Sequence, residues 1–369
     1  MVSTKTVINS VYFALLIPMI VGSLGTCFFN NNKIERKISF VHGITMVLLA
    51  GLRWETGTDW KPYFNLFSAI DFNNIFAIEH HEIGYKFLNL LIKTICNNYT
   101  FFLIVISFIA IYLVYYIIVK SETNSIIAMQ FFYTNYFLAH YLGSNRRIIA
   151  IGLGLCMIWC IYRNKNKYAI ILFLLAISFH RTAIILIICF WIPKKQISNI
   201  KAISLICLFC IIGMTNIIPK LLYSICLLGR ELMHWYMFTN AIWHLNNVIA
   251  EGGENLHNIF GILKRVIYIC IFILFGKKVG QKSLYCYFFN IYLVSLLLYC
   301  VLVNIGTFAI MTTYLCIVEV ILWGHLIKYS RAGNRTVLTG VVIMLGITQL
   351  INCFSGQYGD CFFPYKFVW

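Results

Sequence analysis

Gly51-Leu52-Arg53-Trp54-Glu55-Thr56-Gly57-Thr58-Asp59-Trp60 closes a long apolar run. The run reads as a membrane-spanning helix, and the charges that follow mark where it meets water. One arginine and two carboxylates crowd this edge of a chain that otherwise avoids charge. Ionisable groups at membrane depth are costly, so they mark working sites. Two further places share the pattern: Ser178-Phe179-His180-Arg181, inside another apolar run, and Asn145-Arg146-Arg147. Arginines and carboxylates gathered at one membrane face point to an anionic, lipid-linked substrate.

Working outward, the 369 residues are 61% hydrophobic and only 11% charged, which excludes a soluble globular protein. Apolar stretches long enough to cross a bilayer recur along the whole length. The expected fold is all-α: a single polytopic membrane domain over 1–369 with about ten spans. The first apolar run, 6–29, is too long for the apolar core of a signal peptide and lacks a small-residue cleavage site. The formal net charge of +17 does not indicate nucleic acid, because the Lys and Arg residues cluster in short segments between spans. Most of the 14 cysteines lie inside apolar runs, where Cys acts as a small hydrophobe. Cys353 and Cys361 flank a polar loop, and nothing else in the sequence supports a bridge between them.

Loop charge sets the expected topology. Basic loops fall at 31–37, 163–167, 193–201, 277–282 and 328–335, all placed in the cytoplasm by the positive-inside rule. Spans then fall near 6–29, 38–53, 99–119, 125–142, 146–162, 202–219, 260–276, 283–303, 308–327 and 336–352. Residues 168–191 resist this scheme, with basic loops on both sides and His180-Arg181 in the middle. A re-entrant or broken segment with His180 near its apex resolves both facts; an ordinary tilted span is the alternative. The outer face would then carry loop 54–98, with an interfacial helix near 82–96, and loop 220–259, rich in Trp, His and Asn, with Gly252-Gly253 as a hinge. Proline is scarce, so most spans should be unkinked.

Each charged residue has two readings. Arg53 either snorkels to headgroups or, held by a nearby carboxylate, grips a phosphate oxygen. Asp59 either caps the helix from Trp60 onward or orients Arg53. His80-His81-Glu82 lacks the spacing of a helical metal site, so no metal or other cofactor is expected. Glu82 is a candidate general base, since desolvation at a membrane surface raises a carboxyl towards neutrality. Arg146 and Arg147 stand on the wrong side for the charge rule, which argues for function. They point about 100° apart on a helix, so one of the two is expected to face the cavity more directly. His180 and Arg181 either satisfy a broken helix or line the cavity. Lys264 and Arg265, at another span entrance, read as snorkelling.

Together these pieces resemble the EpsG-type polysaccharide polymerase family, relatives of the Wzy O-antigen polymerases. The matching residues are Gly51-Leu52-Arg53 with Gly57-Thr58-Asp59-Trp60, then Glu82-Ile83-Gly84-Tyr85 with Asn89. Arg146 with Ile149-Ala150, Ala176 with Phe179-His180, and Pro364-Tyr365-Lys366 complete the set. Two departures stand out. Arg147 replaces a common Gln, and Asn304 to Tyr314 holds no Arg where the family often has one, so Arg181 or Arg147 would take over that contact.

The resemblance implies a metal-independent glycosyltransferase of GT-C-like architecture in the bacterial cytoplasmic membrane, with its site facing the periplasm. It would join undecaprenyl-diphosphate-linked oligosaccharide repeats. Arg53, Arg146, Arg147 and Arg181 would hold the diphosphate, and Glu82, Asp59 or His180 would act as base. Tyr85, Tyr365 and Lys366 would touch glycan. Membrane lipid and a chain-length regulator are the implied partners. An O-antigen ligase shares the donor and is the nearest rival. A lipid-linked glycan flippase is another, although no paired halves are visible. A membrane acyltransferase is a third.

Overall fold

Three asparagines start three of the helices that carry the fold. Asn31 accepts from the Lys33 and Ile34 amides at 2.9 and 3.3 Å, Asn98 from Phe101 at 3.0 Å, and Asn124 from Ile127 at 3.1 Å. Each satisfies donors that a first helical turn leaves open. The structure is a computed structural model describing residues 10–29, 31–78, 81–215, 217–233, 236–251, 255–276, 283–355 and 359–369. Residues 1–9, the 277–282 basic segment and the Gly252-Gly253 pair lie outside the described residues.

The helices are α1 (Val11–Gly25), α2 (Asn32–Gly51), α3 (Trp60–Ala69), α4 (Ile83–Ile95), α5 (Tyr99–Lys120) and α6 (Ser125–Phe132). A π-helix (Tyr133–Tyr141) continues α6. Then come α7 (Asn145–Tyr162), α8 (Asn166–Phe179) and a 3-10 helix (Arg181–Phe190). α9 (Asn199–Gly213), α10 (Ile217–Met233), α11 (Tyr236–Glu251), α12 (Asn255–Phe275) and α13 (Ser283–Leu302) follow. The short α14 (Gly306–Ala309) and α15 (Thr313–Cys316) lead to α16 (Glu319–Tyr329) and α17 (Ala332–Ser355). Two short strands, β1 (Arg53–Trp54) and β2 (Lys366–Phe367), pair antiparallel.

This is a polytopic helical membrane protein. Among the described residues, five helices are long and apolar enough to cross a membrane, or six if α9 and α10, bent by 68° at their junction, count as one. That is fewer than the ten expected spans, because several apolar stretches fold as shorter or interrupted helices. The 125–142 stretch splits into α6 and a π-helix, whereas 308–327 runs through α14, a 3-10 turn, α15 and α16 yet still counts among the five. Proline causes neither change of helix type. Loop 220–259 is in fact mostly α10 and α11. The basic 31–37 stretch is largely the first turns of α2. A helix, α4, stands close to where the interfacial one was expected. The 168–191 run is broken at His180, whose extended backbone (φ −154°, ψ 114°) ends α8.

The described chain divides into two compact units, residues 1–187 with 320–369, and residues 188–319. In the first, α5 packs with α2 and α7. Phe102, Ile106, Ala110, Val114 and Ile117 form its buried stripe, while Phe101, Phe108, Tyr112 and Tyr116 face outward. Apolar faces on both sides are what a lipid-facing span needs.

In the second unit, α9 and α13 run parallel. Gln196 meets Cys286 at 3.7 Å and Cys210 meets Cys300 at 3.5 Å, so the register stays constant along both helices. Buried Asn290 fixes the start of this pair: it donates to the carbonyls of Pro193 and Lys195 at 2.7 and 2.8 Å and accepts from the Ile197 amide at 3.1 Å. The Pro193–Lys201 segment and the start of α13 therefore lie at the same end of this unit. Lys264 and Arg265 do not simply snorkel. Arg265 lies 3.5 Å over the Tyr299 ring and donates to the Gly261 carbonyl, and Lys264 lies 5.6 Å over the Tyr268 ring. Cys353 and Cys361 both carry free thiols.

Candidate functional site

The first unit gathers most of the charged residues singled out above. Arg53 follows α2 in β1 and is 1% exposed. Its Nη1 donates to the Leu142 carbonyl at 3.3 Å and its Nη2 to Asn145 Oδ1 at 2.7 Å. Gly57 makes this approach feasible. Its φ is +108°, and a Cβ there would stand 2.1 Å from the Leu142 oxygen and 3.2 Å from Arg53 Nη1.

The C-terminal strand clasps the same loop. β2 pairs Phe367 with Arg53 and Lys366 with Trp54, and the Gly57 amide donates to the Cys361 carbonyl at 2.8 Å. Lys366 Nζ pairs with Glu55 at 2.9 Å, and Tyr365 donates to the Leu49 carbonyl. Tyr365 and Lys366, expected at the glycan, are thus engaged with the Arg53 loop.

A second cluster centres on Glu82, at the N-cap position of α4 but capping no amide of its own helix. Its Oε2 pairs with Arg146 Nη1. Its Oε1 accepts from the Arg181 backbone N–H at 3.2 Å and lies 3.4 Å from Arg181 Nε. The glycine at position 84 brings these elements together: a Cβ there would stand 2.4 Å from Ser178 Oγ and 2.8 Å from the Ser178 carbonyl. α4 can therefore press against the end of α8 and set Glu82 beside the His180 break. His180 is buried, with Nδ1 2.6 Å from Thr182 Oγ1.

Burial alone would raise the Glu82 carboxyl. The Arg146 guanidinium, the His180 ring and the Arg181 N–H outweigh it and hold the group below the usual carboxylate range. The desolvation expected from sequence is present, but the ion pairs reverse its effect.

Tyr63 on α3 completes the cluster. Its hydroxyl lies 2.8 Å from Ser144 Oγ and 3.3 Å from Asp59 Oδ2, and accepts from Arg146 Nε at 3.3 Å. Burial pushes this phenol up, so it stays protonated. Asp59 stands at the N-cap position of α3 without bonding an amide there, and its carboxylate serves Tyr63. Arg146 takes the Glu82 side of α7. The Arg147 Nε is buried without a hydrogen-bond partner. Tyr85 is fully buried among Tyr63, His81 and Phe102. Of His80-His81, the first lies outside the described residues. Among the described residues, no group of three His, Cys, Asp or Glu side chains is placed to hold a metal ion.

Sequence reading missed Tyr63 and Ser144, and noted Asn145 only as the neighbour of Arg146, with no role. The Asp59-to-Tyr63 spacing of four puts both on one helical face and could have flagged the tyrosine. Ser144 and Asn145 carry no charge and gave no comparable signal.

The class is thus defined: a multi-pass helical membrane protein with one buried arginine, and two more sharing a buried carboxylate, in one unit. The chain belongs to the EpsG family, whose sequence model matches residues 37–367, and that family is linked to exopolysaccharide synthesis. No curated protein and no solved structure matches the chain.

Proposed function

We propose that this protein is a polysaccharide polymerase of the bacterial cytoplasmic membrane. It joins undecaprenyl-diphosphate-linked oligosaccharide repeats at the periplasmic face. One observation carries the reading: two arginines from separate elements, Arg146 and Arg181, converge on a single buried carboxylate beside His180. Guanidinium forks suit phosphate oxygens, and fixed cations stabilise a departing diphosphate.

In this reading the acceptor sugar hydroxyl attacks the anomeric carbon of the donor. The bond from that carbon to the diphosphate oxygen breaks, and the diphosphate leaves with the electron pair. Arg53, Arg146, Arg147 and Arg181 receive the charge that develops. Glu82 takes the hydroxyl proton, with His180 and Asp59 as the other acceptors at hand. Lys366, with its side chain half exposed, is assigned to the glycan, while Tyr85 and Tyr365 shape the wall behind it.

The test is deletion of the gene in its host, with the surface polysaccharide resolved on a gel. Loss of the ladder with a single repeat still displayed supports the polymerase. Free polymer without surface attachment would indicate a ligase, and lipid-linked repeats trapped inside the cell a flippase. Either result removes the proposal.

A further inference from the structure

The Glu82 contacts have the form of an anion site already filled. Both carboxylate oxygens are used, one by a guanidinium nitrogen of Arg146 and the other by the backbone N–H and Nε of Arg181. Arg181 opens the ten-residue 3-10 helix, so its N–H points outward from a helix start, where anions are favoured. These donors match two non-bridging phosphate oxygens as readily as a carboxylate. Access is one-sided: the Glu82 side chain is 8% exposed and that of Arg146 18%, while that of Arg181 is 49% exposed.

We propose that Glu82 is a resident stand-in for phosphate. It holds Arg146 and Arg181 where the donor's diphosphate will need them, and the incoming diphosphate displaces it. This rests on the polymerase reading and adds an order of events to it. A carboxylate brings one negative charge to two guanidiniums, whereas a diphosphate brings at least two and takes the arginines over. The arginines are ordered before substrate arrives, so little reorganisation remains at binding. The displaced carboxylate is left buried, with its counter-ions turned to another anion. Its proton affinity rises for that reason. Donor loading thus creates the base that accepts the acceptor hydroxyl's proton. With no donor bound, Glu82 stays paired and activates nothing.

The experiment measures binding of inorganic pyrophosphate to the purified full chain, as wild type, Glu82→Gln and Arg146→Ala. A stand-in competes with the ligand, so Glu82→Gln should bind pyrophosphate at least about tenfold more tightly than wild type. Arg146→Ala should bind more weakly. Should Arg146→Ala weaken binding while Glu82→Gln leaves it unchanged or weaker, the diphosphate site stands and the stand-in is overturned. If wild type and both variants ignore pyrophosphate, the diphosphate reading falls and takes this one with it. Glu82→Gln could fail to fold, so an infrared difference spectrum of the wild type on adding pyrophosphate gives a second reading. The paired carboxylate bands should shift as Glu82 is released; unchanged bands with pyrophosphate bound would overturn the proposal.

Discussion

Arg53, buried, and Arg146, part-buried, belong to one unit, yet they are held by different means. A carbonyl and a side-chain amide hold Arg53 in a loop that Gly57 and the C-terminal strand keep in shape. A carboxylate, a phenol hydroxyl and the face of the same ring hold Arg146. The first placement depends on backbone geometry and the second on charge. Substitutions should therefore separate them: backbone changes ought to disable Arg53, and charge changes Arg146.

Breaking the charge side should have the largest effect. Arg146→Ala leaves Glu82 short of one counter-ion with Arg181 still beside it, a loss somewhat below the about 3–5 kcal/mol of a fully uncompensated buried charge. Thermal unfolding in detergent should show it, together with loss of the polysaccharide ladder. Arg53→Ala should also abolish the ladder. Arg53→Lys should fail too, since one ammonium cannot reach both the Leu142 carbonyl and Asn145 as the fork does. A full-length ladder from Lys variants at both positions would contradict the diphosphate role.

Breaking the backbone side comes next. Gly57→Ala places a Cβ against the Leu142 oxygen at a positive φ, a strain of roughly 1–3 kcal/mol. It should reduce polymer while leaving the Glu82–Arg146 pair intact. Gly84→Ala should do the reverse, driving α4 off Ser178 and parting Glu82 from Arg181. Comparing the acid sensitivity of the two variants would sharpen the distinction, because only one of them disturbs the carboxylate.

That acid sensitivity has a definite sign. The folded-state Glu82 carboxyl is held below its ordinary range. Its stabilising contribution is complete above that range and disappears as the pH falls through the lowered value. Melting temperature should fall on acidification in wild type, and less steeply in Glu82→Gln. Equal slopes would argue against the ion pair. Tyr63→Phe is milder, removing hydrogen bonds worth about 0.5–1.5 kcal/mol and loosening Arg146 alone. The smallest effect belongs to Lys366→Ala. Its pair with Glu55 is exposed, so stability should not change measurably. A clear loss of polymer there with stability intact would point to the glycan contact the family resemblance implies.

The helical membrane class was legible because apolar run length and loop charge report it directly. The Arg53, Arg146 and His180-Arg181 neighbourhoods were legible because charge is rare in such a chain. Helix interruption was not. The π-helix at Tyr133–Tyr141 and the splits around Ile310 carry no proline, and hydropathy is blind to a change in hydrogen-bond register. The state of Glu82 was misread because desolvation can be judged from a single segment, whereas its two counter-ions come from elements 64 and 99 residues away. Tyr365 and Lys366 were noticed as motif residues, but nothing local reveals that they close on residue 49 and residue 55.

That closure has a consequence for synthesis. Arg53 is threaded into the membrane early, but its strand partner, Phe367, does not exist until every intervening helix has been made. Joining chain ends so far apart is an entropically demanding, late step of folding. A chain that stalls on the ribosome or is cut partway would carry Arg53 on an unclasped loop. The β1–β2 pair is therefore the last layer laid over this arginine, closing on a side chain whose own partners, Leu142 and Asn145, were made some two hundred residues earlier.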